Sequence, residues 1–298
     1  MVGLWLASLP PAGEPVRVEQ IRYAKWTGCW RISDGRLEVV VVPAVGRILR
    51  LGRPGGPNVL WENVDLCGGR TSPKAGEWAN YGGDKLWPSP QTWGWPPDPK
   101  LDGGMHRSRA IPGGVWIASQ PSATLGVRFE REILLPGGRD EVVLRNRMVS
   151  IGPQPVEWAI WQVAQLDDPE EVLIDLPAAN AEPIRMGDPP KIPIDSFLEK
   201  FGASLRIRRS PQQSFKIGSA AIGGSLWAKT RAGWLEMRPV LEPPIGAFPD
   251  QGAGLQVYCG ADPDRYVELE ATGFSRRLAP GEATTLEVRW RLSQESPR

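Results

Sequence analysis

The segment "TTLEVRWRLS" near the end of the chain shows the pattern that governs the whole sequence. Leu286, Val288, Trp290 and Leu292 fall on one side of an extended chain, and Glu287, Arg289 and Arg291 on the other, because side chains alternate faces along a strand. The same period, or a β-branched run, recurs in "RLEVVVVP" (36–43), "GVWIASQ" (114–120), "LGVRFEREILLPGG" (125–138), "DEVVLRNRMVSIG" (140–152), "VEWAIWQVAQL" (156–166) and "RYVELEATG" (265–273). No window of helix length holds apolar residues at i, i+3, i+4 and i+7; "PIDSFLEKFGA" (193–203) comes nearest. The sequence therefore predicts an all-β protein with few short helices, built as one large sandwich.

The 34 Gly and 31 Pro lie outside any low-complexity repeat, as expected of many turns between short strands. No solenoid or propeller period appears and no linker divides the chain. It reads as a single domain over 1–298 with its core at about 15–293. The stretch 177–215, rich in Pro and polar residues, is expected to run as a long excursion over the surface.

Composition removes several functions. A net charge of +1 offers no field for nucleic acid or an anionic membrane. Three widely spaced cysteines, 29, 67 and 259, provide neither a disulfide framework nor a zinc motif. Glycine-rich phosphate loops and the GxSxG elbow are missing. The lone histidine, His106, rules out a multi-histidine metal site, and the reading calls for no cofactor and no metal. The first residues, "MVGLWLASLPPAGEPV", make a poor signal peptide and are too short to span a bilayer, so the expected location is cytoplasmic.

What remains is aromatic and acidic. Fourteen Trp stand against 4 Tyr and 6 Phe; flat indoles serve as core fillers or as platforms that stack on sugar rings. Three of them, Trp87, Trp93 and Trp95, crowd into "NYGGDKLWPSPQTWGW" (80–95), which is neither helical nor cleanly alternating. Near the other end Glu268 and Glu270 share a strand face with Tyr266, while Val267 and Leu269 point the other way. Such a pair is either a solvated strand face or a general base acting on a sugar hydroxyl.

In order along the chain, "LEVVVVPAVGRILRLGRPGGPNVLWEN" (37–63), "YGGDKLWPSPQTWG", "MHRSRA", "GVWIASQ" and "DRYVELEATGFSRRLAPGEATTLEVRWRL" (264–292) resemble the conserved blocks of the galactose mutarotase-like, or aldose 1-epimerase, superfamily. The pattern is similar to its hexose-6-phosphate mutarotase branch, and more so to a branch without an assigned reaction whose members carry a Gly pair, then LW-P-x-P, and end in YxELE. The resemblance covers both ends and the first third; over 170–255 only the order of strands agrees. It implies a β-supersandwich whose concave face holds a sugar or sugar derivative. Glu270 then matches the base that takes the anomeric hydroxyl proton, with Glu268 as the alternative by register. His106 and Arg109 match the His and Arg of the family's HGFAR block, and Asp84, Lys85 and Trp87 fall where its cleft is lined.

Two positions depart from the family pattern. The general-acid histidine is replaced by Trp161 or Gln162, and the Arg that grips a sugar phosphate by Asn80 and Tyr81. Mutarotation takes a proton from O1 and gives one to the ring oxygen, so an acid and a base must flank the sugar. Neither an indole nor an amide is a useful proton donor, which leaves the acid role to His106, Asp84 or Lys85. The expected site is thus Glu270 and His106 for catalysis, with Asn80, Asp84, Lys85, Trp87, Trp93, Arg109, Trp161, Gln162 and Glu268 binding the sugar. The rival expectation is a non-catalytic sugar-binding protein that keeps the cleft without the acid; a lyase or uronate isomerase on the same fold is a third. No residue predicts an oligomer.

Overall fold

The computed structural model describes residues 15–70, 76–187, 190–243 and 246–297. The N-terminal segment considered above as a leader falls almost wholly outside them. Strands account for 50% of the structure and helices for 4%, and no helix among the described residues is long and apolar enough to cross a membrane.

In chain order the strands are β1 (Arg17–Tyr23), β2 (Trp26–Ser33), β3 (Glu38–Val42), β4 (Arg47–Gly52), β5 (Asp84–Ser89), β6 (Arg107–Ile111), β7 (Gly114–Ala118), β8 (Val127–Leu134), β9 (Glu141–Ser150) and β10 (Val156–Asp167). They continue as β11 (Glu171–Asp175), β12 (Ile184–Met186), β13 (Leu198–Phe201), β14 (Ser204–Ile207), β15 (Phe215–Ser219), β16 (Leu226–Thr230), β17 (Gly233–Val240), β18 (Leu255–Cys259), β19 (Tyr266–Thr272), β20 (Arg276–Leu278) and β21 (Ala283–Ser293). They form a four-stranded sheet β1-β2-β3-β4, a seven-stranded sheet β12-β15-β18-β19-β10-β20 with β5 also on β10, and a ten-stranded sheet β13-β14-β11-β16-β17-β21-β9-β8-β7-β6.

The two large sheets close on one apolar core. Leu86, Ile160, Ala164, Val257 and Leu269 from the seven-stranded sheet meet Phe129, Leu144, Val288 and Trp290 from the ten-stranded one. The alternation of β21 is realised in full: Leu286, Val288, Trp290 and Leu292 are all buried.

Two segments differ from expectation. Residues 177–215 supply β12 at one edge of the seven-stranded sheet and β13–β14 at one edge of the ten-stranded sheet. Leu205 and Ile207 alternate within "SLRI" and bury into the core, a signal too short to stand out among Pro and polar neighbours. The stretch after the Gly pair, expected to be irregular, is strand β5, paired along one side with β10. Pro88 has no N–H to give a ladder and is tolerated because β5 has a ladder partner on one side only. Gly82 and Gly83 are required for close approach. Both take positive φ, 86° and 71°, and an added Cβ would stand 2.2 Å from the Trp61 carbonyl oxygen and 2.1 Å from that of Ile48.

A polar ring is sealed between the sheets. Asp84 accepts from the Ile48 N–H at 2.8 Å, from Arg131 in a two-pronged contact, and from Gln162 Nε2 at 3.3 Å. Asn146 closes it, accepting from Arg131 Nε at 3.0 Å and donating to Gln162 Oε1 at 2.6 Å. All four side chains are at most 2% exposed, so each charge depends on its partner. Removing the cation with Arg131→Met is expected to lower stability by about 3–5 kcal/mol, read as a fall in the urea midpoint. Adding Asp84→Leu should recover much of that loss; a single variant as stable as wild type would refute the dependence.

Candidate functional site

The outer face of the seven-stranded sheet is built by parity. Across β15, β18, β19, β10 and β5 the register sets Gln256 opposite Glu270, Tyr258 opposite Glu268, Gln165 opposite Glu268, and Trp87 opposite Trp161. Their sequence neighbours Val257, Leu269, Ala164 and Leu86 point into the core. The outward residues therefore form one continuous patch: Lys216, Gln256, Tyr258, Tyr266, Glu268, Glu270, Trp161, Gln165, Lys85 and Trp87.

Two ion pairs organise it. Lys85 Nζ donates to Glu268 Oε1 at 2.8 Å, and Gln165 Nε2 donates to the same oxygen at 3.0 Å. The Lys85 ammonium also lies 5.0 Å from the Trp78 ring centroid and 4.9 Å from that of Trp87, a cation–π arrangement on both sides. Glu270 Oε2 accepts from Lys216 Nζ at 2.8 Å and from Trp161 Nε1 at 2.7 Å. Burial pushes the Lys85 ammonium below the ordinary lysine range, with Glu268 opposing the shift. It pushes the Glu270 carboxyl above the ordinary range, against the pull of Lys216. Glu270 is fully buried, whereas Glu268 keeps 9% exposure.

Indoles wall the patch. Trp87 sits edge-on to Trp161 at 5.1 Å, Trp78 at 5.9 Å and Trp93 at 5.9 Å, and Trp93 donates to the Pro88 carbonyl at 2.9 Å. Trp78 is anchored from behind: its N–H reaches Asp102 Oδ2 at 2.8 Å, and Asp102 holds the fully buried Arg47. Next to Tyr266 a depression of about 510 Å³ opens, lined by Trp61, Trp78, Asn80, Tyr266 and the carboxylates Glu62, Asp65 and Asp264.

Of the residues expected from sequence, Lys85, Trp87, Trp161, Glu268 and Glu270 come together, with Trp93 behind Trp87 and Asn80 at the depression. Asp84 and Gln162 do not. One residue out of step with Lys85 and Trp161, they face the core in the sealed ring. Asp84 and Lys85, adjacent in sequence and considered as a local pair, bind different partners on opposite faces. Arg109 is exposed on β6 of the other large sheet, its guanidinium 4.9 Å from the Trp116 ring. His106 lies under the turn before β4, where a Cβ on Gly46 would come within 2.1 Å of the imidazole, and its Nδ1 meets the Gly104 carbonyl at 2.9 Å. Sequence reasoning passed over Lys216, Gln165, Gln256, Trp61 and Trp78. Lys216 was within reach, since it stands between apolar Phe215 and Ile217 on a strand; parity from Trp161 likewise reaches Gln165. Among the described residues no group of three or more His, Cys, Asp or Glu converges as metal ligands would.

The sequence matches no protein-family model and no curated protein. Solved structures do match. A galactose mutarotase-like protein from Lactobacillus casei ATCC 334 superposes with a TM-score of 0.60 at 12% identity, over 89% of this chain and 100% of that one. A galactose mutarotase related enzyme from Lactobacillus acidophilus gives 0.59 at 9% identity over 89% and 97%. The fold is galactose mutarotase-like. A TPR-domain containing protein from Parabacteroides distasonis ATCC 8503 carries it too, at TM-score 0.61 and 13% identity over 91% of this chain. This chain spans about half of that protein, 48% of its length.

His106 gives a clean test of the packing around the site. Burial, with Arg131 and Arg47 nearby, pushes its pKa from 6.5 down to about 4. Between those values the unfolded chain binds the proton and the folded chain does not, so stability falls as the pH drops through that window, by about 3 kcal/mol at most. As the only histidine, its ring should titrate below pH 5 by NMR, and His106→Asn should flatten the pH–stability slope. A ring titrating near 6.5 would contradict its burial.

Proposed function

We propose that the chain binds a carbohydrate on the outer face of the seven-stranded sheet, where Lys85, Trp87, Trp161, Gln165, Glu268 and Glu270 converge. One observation carries this reading. Among the described residues, four buried polar atoms on this single face lack a hydrogen-bond partner: Trp87 Nε1, Gln165 Oε1, Gln256 Oε1 and Glu270 Oε1. Folded proteins rarely leave such groups unpaired, and each costs about 1–3 kcal/mol. A polyol supplies hydroxyls that both donate and accept, so one ligand class suits an indole N–H and three carbonyl-type oxygens. The indoles provide the flat apolar surface that a sugar ring covers. The fold agrees, since proteins named galactose mutarotase-like share it.

A second reading, aldose 1-epimerase-like catalysis, draws on the carboxylate of Glu268 and the ammonium of Lys85 on one face; they pair directly at 2.8 Å, so a sugar would have to part them to lie between acid and base. Mutarotation needs a base for the O1 proton and an acid for the ring oxygen. Glu268 supplies a carboxylate at the edge of the patch, and burial makes the Lys85 ammonium a stronger acid than a solvated one. Glu270, the base implied by resemblance, has one oxygen engaged by Lys216 and Trp161, while His106 stands apart from both carboxylates. Hexose 6-phosphates fit poorly: among the described residues the depression carries Glu62, Asp65 and Asp264 and no Lys or Arg.

Isothermal titration with glucose and galactose should give saturable binding, weakened at least about 10-fold by Glu268→Gln, which loses a charge-assisted hydrogen bond. Glucose 6-phosphate should bind more weakly than glucose. Polarimetry on freshly dissolved α-glucose and α-galactose separates the two readings. Acceleration lost in Glu268→Gln and Lys85→Met supports catalysis; binding without acceleration leaves the non-catalytic protein. Absence of binding to any sugar would end the proposal.

A further inference from the structure

Trp95 is left out of the patch just described, yet it is the most conspicuous apolar group near it. Its indole is 57% exposed, although an indole gains more from burial than almost any other side chain. Its position is nonetheless defined. It packs edge-on to Trp78, with centroids 5.0 Å apart and planes at 70°, and to Trp87 at 6.2 Å and 90°. Beside it Gly94 has nothing within 4 Å of where a Cβ would stand.

Trp78 joins this platform to the depression. It lines the depression together with Trp61 and Tyr266, and its buried anchor to Asp102 keeps the shared wall in place. The depression, at about 510 Å³, lies in the range that encloses drug-sized ligands, which is more than one hexose ring fills. A pocket larger than one ring, joined through Trp78 to an exposed flat indole, suits a ligand of several rings.

We infer that the site takes a neutral oligosaccharide, with its terminal ring in the depression between Trp61, Trp78 and Tyr266 and the next ring stacked on Trp95. Neutrality follows from the lining: among the described residues it holds Glu62, Asp65 and Asp264 and no Lys or Arg, with Arg70 beside it 3.7 Å from Asp65, so uronate, sulfate and phosphate groups meet a net like charge. The inference rests on the carbohydrate reading and narrows it from free sugars to chain ends.

The test is titration of the full chain with glucose, galactose and their α- and β-linked di- and trisaccharides. At least one trisaccharide should bind about 10-fold more tightly than its monosaccharide, the gain expected of one stacked ring. Trp95→Ala should cancel that gain and leave monosaccharide affinity within about 2-fold of wild type, while Trp95→Tyr keeps part of it. The cooperative unfolding transition should persist with a midpoint close to wild type, because the ring is more than half exposed. If no oligosaccharide in the panel exceeds its monosaccharide, or if Trp95→Ala leaves the gain intact, the inference is overturned and carbohydrate binding itself stands. If wild type binds no sugar of any length, both fall together.

Discussion

Strand β10 is held on both edges over Trp161 to Ala164: β5 runs along one side from Ala159 to Ala164 and β19 along the other from Trp161 to Asp167. A strand clamped this way cannot slip, because a one-residue shift would move every side chain to the opposite face. The clamp separates two chemistries that are adjacent in sequence. Trp161, Val163 and Gln165 face outward to the indoles and carboxylates; Ile160, Gln162 and Ala164 face inward to the core and the sealed polar ring.

The polar ring and the outward patch depend on one another through that shared backbone. Asp84 is tied to Arg131 on the far sheet and to the Ile48 N–H of β4, which fixes the start of β5. Fixing β5 sets Lys85 and Trp87 at the height where they meet Glu268 and Trp161. The Gly pair before β5 is the geometric condition for this, since any side chain at Gly83 would collide with the Ile48 carbonyl. A buried charge network is weak evidence for stability in itself; here its clearest consequence is register.

The outward patch keeps its charges in a dry setting. Lys85 and Glu270 are both almost fully buried and displaced from their ordinary ionisation in the directions burial dictates, and each is matched with an opposite partner. Such displacement accompanies functional sites more often than ordinary surface charge does. The unpartnered atoms, on Trp87, Gln165, Gln256 and Glu270, mark where the protein alone does not complete its hydrogen bonding.

Some of this was written in the chain itself. Alternation in "TTLEVRWRLS" and "YVELE" determined that these are strands and which residues share a face, because a period of two is a local property of extended backbone. The Trp-rich stretch and the acidic pair were likewise visible as candidates. The sequence could not decide that "DKLWPS" is a strand, since its Gly and Pro neighbours mask the period. Nor could it decide that Asp84 and Gln162 turn inward while Lys85 and Trp161 turn outward. That choice is made by pairing between segments nearly two hundred residues apart, Lys85 with Glu268, and by an Arg131 that comes from the other sheet. His106 and Arg109, grouped with the site by their order along the chain, lie elsewhere because order is one-dimensional, whereas a sandwich sends successive strands to different sheets.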